Sequence, residues 1–216
     1  MNRDEPSVRA RLLDAALWFV QEVARLPEVQ SIALIGSIVT DRPSPKDVDV
    51  LVYIRNDCDL TALATLGRRL KGRLQGQSLG ADVFLADEDG HYLGRTCSWK
   101  ECRPGIRVSC DALHCGRRPY LHDDLATVRL DDALVAAPPV ELWPVIKRRV
   151  KLPGDVERFL ARLGEPNDYG VQPTPGVRRI GRPVRRALSA AGDQATCIKE
   201  AVRAVSDQKD SSSART

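Results

Sequence analysis

Aromatic residues are scarce in this 216-residue chain: three Trp, four Tyr and three Phe make up 5% of it, with a single Met. A core must therefore be built mainly from Leu, Val, Ile and Ala, which suffices at this length. Long apolar runs are also lacking, none approaching the roughly 20 residues that a membrane-spanning helix needs. The opening residues carry Arg3, Asp4, Glu5 and Arg9 in place of the apolar stretch of a signal peptide. A cytoplasmic location with no membrane partner is the expectation. No internal repeat is present, so one domain with appendages is expected.

What is present is ordinary in amount. Hydrophobic residues make up 43% and charged residues 29%, the balance of a soluble globular protein rather than a disordered or fibrous one. The formal charge of +4 is too small by itself to argue for a nucleic-acid partner. Its distribution says more: basic and acidic residues cancel through residue 165, and the whole surplus lies in residues 166–216. Pro and Gly punctuate that tail and Ser211 to Ser213 lie near its end, so it reads as mostly flexible apart from a possible short helix over Gln194 to Val205. Arg178, Arg179, Arg182, Arg185 and Arg186 there could supply non-specific phosphate contacts.

Along the body, apolar residues at three- and four-residue intervals predict a helix from about Ser7 to Leu26, with Ser7 as its N-cap. Ser31 to Ile35 is a short apolar run ending at Gly36-Ser37, a buried strand feeding a turn. Asp47 to Ile54 is the clearest strand, β-branched and apolar except for two carboxylates at its start. Leu60 to Leu74 has helical spacing, and Ala81 to Ala86 returns to strand character. This order suggests a small α/β sheet with a helix crossing between its second and third strands. Further on, Ile106 to Val108 and Ala126 to Leu130 look strand-like. Glu141 to Val150 reads as helical, and Asp155 to Leu163 as a helix capped by Asp155. The run Lys147-Arg148-Arg149 then falls at a helix end, where cations are favoured and solvated.

On a strand, residues two apart share a face, so Asp47 and Asp49 project together and repel. A divalent cation between them resolves the repulsion, and paired hard oxygens suit Mg²⁺ held with substrate phosphates. The alternative is a pair of acids that cap neighbouring loops. Glycine at position 36 allows close backbone approach to a ligand, and a turn N–H with the Ser37 hydroxyl can hold phosphate oxygens.

Together, Ile35-Gly36-Ser37, nine intervening residues and Asp47-Val48-Asp49-Val50 resemble the signature of the polymerase-beta-like nucleotidyltransferase superfamily. That family has a third acid on a later strand, and Ala81-Asp82-Val83 fits, with Asp87 the next acid along. The resemblance covers roughly residues 29–87 and is to the minimal type. It implies a mixed α/β (α+β) fold with a small sheet, Mg²⁺ or Mn²⁺ on Asp47, Asp49 and Asp82, and the terminal phosphates of an NTP such as ATP on Gly36 and Ser37. Asp82 would help deprotonate an acceptor hydroxyl, and the α-phosphate would be attacked with loss of pyrophosphate. The stretch departs from many small members, which carry an Arg soon after the Gly-Ser turn and a Ser before the acids. Here those places read Ile38-Val39-Thr40 and Lys46. Some minimal members are antitoxins that modify a protein partner, which makes an inactive, antitoxin-like binding module the alternative to an enzyme.

Four of the six Cys lie in two Cys-x4-Cys pairs, Cys97 with Cys102 and Cys110 with Cys115. Such a Cys-rich insertion, residues 97–122, suits structural Zn²⁺ at the edge of the usual spacing, with His114 and His122 able to replace a thiol. Reduced buried thiols or a redox pair remain alternatives. His91 follows the third strand near the presumed site, where a surface role is the simpler reading. The expected organisation is a nucleotidyltransferase-like domain over residues 1–135, a helical extension over 138–165 and the basic tail over 166–216.

Overall fold

The structure is a computed structural model that describes residues 6–101, 118–122 and 129–164. Helix α1, Val8–Val23, starts where the Ser7 hydroxyl accepts a hydrogen bond from the Ala10 amide at 3.1 Å. Its Leu12, Ala16, Phe19, Val20 and Val23 are spaced to form one buried stripe. Strand β1, Val29–Ile35, runs into a single 3-10 turn, Gly36–Val39, and β2 follows as Asp47–Ile54. Helix α2, Thr61–Gln75, then crosses to β3, Gly80–Ala86. Strands β4, Tyr92–Thr96, and β5, Leu121–His122, continue the sheet, and α3 is the short helix Asp132–Ala136. Strands β6, Val140–Trp143, and β7, Lys147–Arg148, precede α4, Gly154–Gly164.

Among the described residues the result is a mixed α/β arrangement of four α-helices and a seven-stranded sheet in the order β5-β4-β3-β2-β1-β6-β7. Among the described strands only β2 and β3 pair in parallel, with α2 as their crossover; the other neighbours are antiparallel. A parallel pair cannot be joined by a tight turn, which is why a helix intervenes. Gly67 lets that helix come close to the sheet, because a Cβ there would stand 2.9 Å from the Thr96 hydroxyl oxygen and 3.5 Å from Val83. Helix α2 thus lies on the Val83 face, and α1 packs beside it.

Strand β2 shows how the two faces differ. Val48, Val50, Val52 and Ile54 are all fully buried and point toward the helices. Asp47, Asp49, Leu51 and Tyr53 occupy the other face. There the Tyr53 hydroxyl donates to the Val135 carbonyl, which sets α3 over the far end of the strand. Burial first, and the Glu141 carboxylate second, push the Tyr53 hydroxyl well above its usual pKa, against a smaller opposing effect of Arg149.

The expected helix over 141–150 is not there, so the 138–165 segment is not a helical extension: only its last part, α4, is helical. Val140–Trp143 is a strand that pairs with β1, and it belongs to the main sheet. The reason lies in the chain itself. Pro138-Pro139 and Pro144 bracket the segment, and Val140 and Leu142 are buried while Glu141 and Trp143 are less so, the two-residue period of a strand. The basic run is no helix end either. Lys147 and Arg149 hold Glu141 at 2.8 and 2.6 Å, and Arg148 holds Glu157 at 3.0 Å. Asp155 sits inside the first turn of α4 rather than ahead of it. The strand expected around Ile106 to Val108, most of the one at Ala126 to Leu130 and the tail helix lie outside the described residues. Among the described residues no helix is long and apolar enough to cross a membrane.

Candidate active site

Strand pairing brings the three expected acids together. Asp49 on β2 is the register partner of Ile35 on β1 and of Asp82 on β3. Neighbouring strands run about 4.8 Å apart, so Asp49 and Asp82 are adjacent on one face, with Asp47 one pleat along beside Gly80. Asp49 is 2% exposed, while Asp47 and Asp82 are partly open to solvent. The apolar stretch of β2 that follows anchors the strand in the core and holds the acids at its rim.

Gly36 follows Ile35 and turns with φ +77°, a conformation that costs glycine little and other residues more. A Cβ at this position would stand 2.3 Å from Asp49 Oδ2. The glycine is therefore required twice, by its backbone and by the carboxylate packed against it. Ser37, 5% exposed, comes next, and its carbonyl accepts from the Thr40 amide at 3.2 Å and the Thr40 hydroxyl at 2.8 Å. The turn is short and tied to itself, so its backbone is fixed beside Asp49.

Arg9, 7% exposed on α1, was not marked by any sequence pattern. Its guanidinium donates to the carbonyls of Ile38 and Arg42, and to that of Thr40 at 3.1 Å. Its Nε pairs with Asp155 of α4 at 3.0 Å. One buried cation thus gathers three carbonyls of the loop that follows Gly36-Ser37, and Asp155 of α4 neutralises it. An arginine suits this role because its fork offers five donors in fixed directions.

On β4, Arg95 places Nη1 3.6 Å from Asp82 Oδ1. Arg95 pairs in register with Phe84 on one side and with His122 of β5 on the other, so a cation and an imidazole extend the acid face outward. Cys97, 2% exposed, lies two residues past Arg95, and its amide donates to the Tyr120 carbonyl at 2.7 Å. Of the four thiols considered for zinc, Cys97 alone is described; Cys102, Cys110, Cys115 and His114 lie outside the described residues.

Asp87 does not join the three acids. It stands just past the end of β3, five residues from Asp82, or about 16 Å at strand rise. There its carboxylate accepts from the amides of Asp89 at 3.0 Å and His91 at 2.7 Å, and pairs with the His91 ring at 3.2 Å. Burial pushes the Asp87 carboxyl up, but the hydrogen bonds and charge of His91, with the Asp89 amide, leave it below the usual range. The ligand atoms of Asp87, Asp89 and His91 lie within 4.8 Å of one another, a set of groups able to hold a metal ion. No family model, curated protein or solved structure matches the chain.

Proposed function

We propose that this protein is a metal-dependent nucleotidyltransferase with a fold of the polymerase-beta-like kind, moving a nucleoside monophosphate from an NTP, such as ATP, to a hydroxyl acceptor with release of pyrophosphate. The observation that carries the reading is the juxtaposition of Gly36 with Asp49 and of Asp49 with Asp82 across three adjacent strands. Three carboxylates on one rim would supply hard oxygen donors of the kind Mg²⁺ or Mn²⁺ takes, and glycine at 36 is what lets the Asp49 carboxylate pack against the turn. When bound, the metal supplies neutralisation of the triphosphate charge.

The chain's own residues divide the remaining work. The turn at Gly36-Ser37 holds the terminal phosphates through backbone N–H groups and the Ser37 hydroxyl. Asp47 and Asp49 would hold the metal ion that neutralises the triphosphate, and Asp82, at the open side of the site, accepts the proton of the attacking hydroxyl. Catalysis of this type rests on positioning and charge. Arg9 contributes from behind: where small relatives of this fold carry an Arg soon after the Gly-Ser turn, this chain reads Ile38-Val39-Thr40, and Arg9 secures the same loop from α1. Structural Zn²⁺ on Cys97, Cys102, Cys110 and Cys115 is part of the same proposal.

A second reading is an inactive module that binds nucleotide or a protein partner, antitoxin-like, without turnover. Arg95 favours it, because a cation beside Asp82 competes with metal at that carboxylate. The enzyme is distinguished from the module by incubating the protein with α-labelled ATP and Mg²⁺ or Mn²⁺ in lysate. Transfer of label by the wild type, reduced at least about 100-fold by Asp49→Asn, is the expected result. Metal-dependent ATP binding with no label transferred by either protein selects the module. No metal-dependent binding at all removes the transferase and the nucleotide-binding form of the module.

A further inference from the structure

A second charged surface lies on the far side of the sheet from the acids. Helix α2 has the sequence TALATLGRRLKGRLQ, four cations and no acid. Arg68 is committed, its guanidinium donating to the Trp99 carbonyl at 3.0 Å and lying over the Tyr120 ring. The others remain outside. An open groove of about 640 Å³ runs between α1 and α2, lined by Trp18, Glu22, Arg69, Gly72 and Arg73. The Arg73 guanidinium sits 4.0 Å from the centre of the Trp18 ring, which desolvates and orients it. Glu22 is turned to Arg25 at 2.9 Å, so its charge is already neutralised. Among the described residues no carboxylate pairs with Arg69 or Arg73.

Gly72 is the informative residue. It sits inside an exposed helix, where glycine costs about 1 kcal/mol against alanine. A Cβ there would meet nothing within 4 Å, and the same holds for Gly76 one turn on. Neither the fold nor the packing of this chain needs a glycine at 72, in contrast to Gly67. What the missing side chain does provide is a floor between two arginines one turn apart, their Cα atoms about 6 Å apart along the helix axis. That spacing is near the separation of neighbouring phosphates on an extended single strand. A protein partner would need an apolar anchor, and the single ring in the groove is covered by Arg73.

We infer that the α1/α2 groove binds the phosphodiester backbone of a single-stranded nucleic acid, with Arg69 and Arg73 on successive phosphates and Gly72 admitting the strand against the helix. The groove is separate from the three acids, so this inference does not depend on the transferase reading. The test is fluorescence anisotropy of a labelled 12-mer of deoxythymidine with the full chain, across a salt series. Arg69→Gln with Arg73→Gln is expected to weaken binding at least about tenfold and to lower the salt slope by about 2. Gly72→Leu, which favours the helix and fills the floor, is expected to weaken binding comparably while circular dichroism stays unchanged. Three results overturn the inference: no binding by the wild type, full affinity in the Gly72→Leu protein, or equal competition by poly-glutamate, which marks a site for acidic proteins.

Discussion

The two faces of strand β2 are made by the same eight residues, yet they have opposite fates. One face presents Val48, Val50, Val52 and Ile54, closed under α1 and α2 with no exposure. The other presents Asp47 and Asp49 at the rim before Leu51 and Tyr53 return to the core. The closed face shows what holds the sheet; the open face shows where stability was forgone. The proposed transferase reading uses this corner, where the carboxylates gather opposite a fully apolar face.

The contrast is broken most severely by placing a carboxylate on the wrong face. Val50→Asp buries an unpaired charge beneath the helices and is expected to cost more than about 4 kcal/mol, leaving the chain unfolded in a urea titration. Asp49→Asn, one residue away, should keep a cooperative transition near that of the wild type. If the two variants unfold alike, the distinction between the faces is lost.

A smaller effect sharpens the link between the helical side and the acid corner. Arg9→Met leaves the carbonyls of Ile38, Thr40 and Arg42 without their shared donor and Asp155 without its cation, a loss of about 2–3 kcal/mol. Because these carbonyls follow the Gly-Ser turn, ATP affinity should fall further than the loss of stability explains, at a temperature where the variant is fully folded. Equal ATP affinity in the folded variant would make Arg9 purely a stabilising residue.

The smallest effect concerns Glu141 on β6. Burial raises its carboxyl, but hydrogen bonds from Lys147 and Arg149 and their charges outweigh this and leave it below the usual range. A lowered folded-state pKa gives stability that is present above the unfolded value and is lost as pH falls through the folded value. Glu141→Gln should thus lower the melting temperature slightly at neutral pH, by under about 1 kcal/mol of stability given the exposure of Lys147. The gap between the two proteins should close on acidification below the normal carboxylate range.

How much of this was legible in the residues varies by place, and the reasons are physical. Strand β2 could be read to its boundaries because a β-branched run is bounded by a loop with two prolines and by Arg55-Asn56. The acids were legible because two carboxylates opening an apolar strand violate the local pattern. Segment 141–150 misled because its scattered apolar residues and terminal cations imitate an amphipathic helix, while the decisive signal, Pro144 after an alternating pair, is a single residue. Arg9 was not legible at all. A buried arginine in a helix looks like any surface cation until the carbonyls some thirty residues later arrive beside it.

The pairing of β1 with β6 has a consequence in time. β1 carries the chain into Gly36, yet one of its two neighbours, Val140–Trp143, is synthesised more than 100 residues after Ile32. Until that stretch leaves the ribosome, β1 is an outer strand with one row of backbone amides and carbonyls unpaired, and the nascent chain is open to pairing with another copy of itself. The corner that gathers the acids is coded early and buttressed late, so a chain cut before residue 140 would hold the whole Gly-Ser and acid signature on a sheet that ends at its own centre.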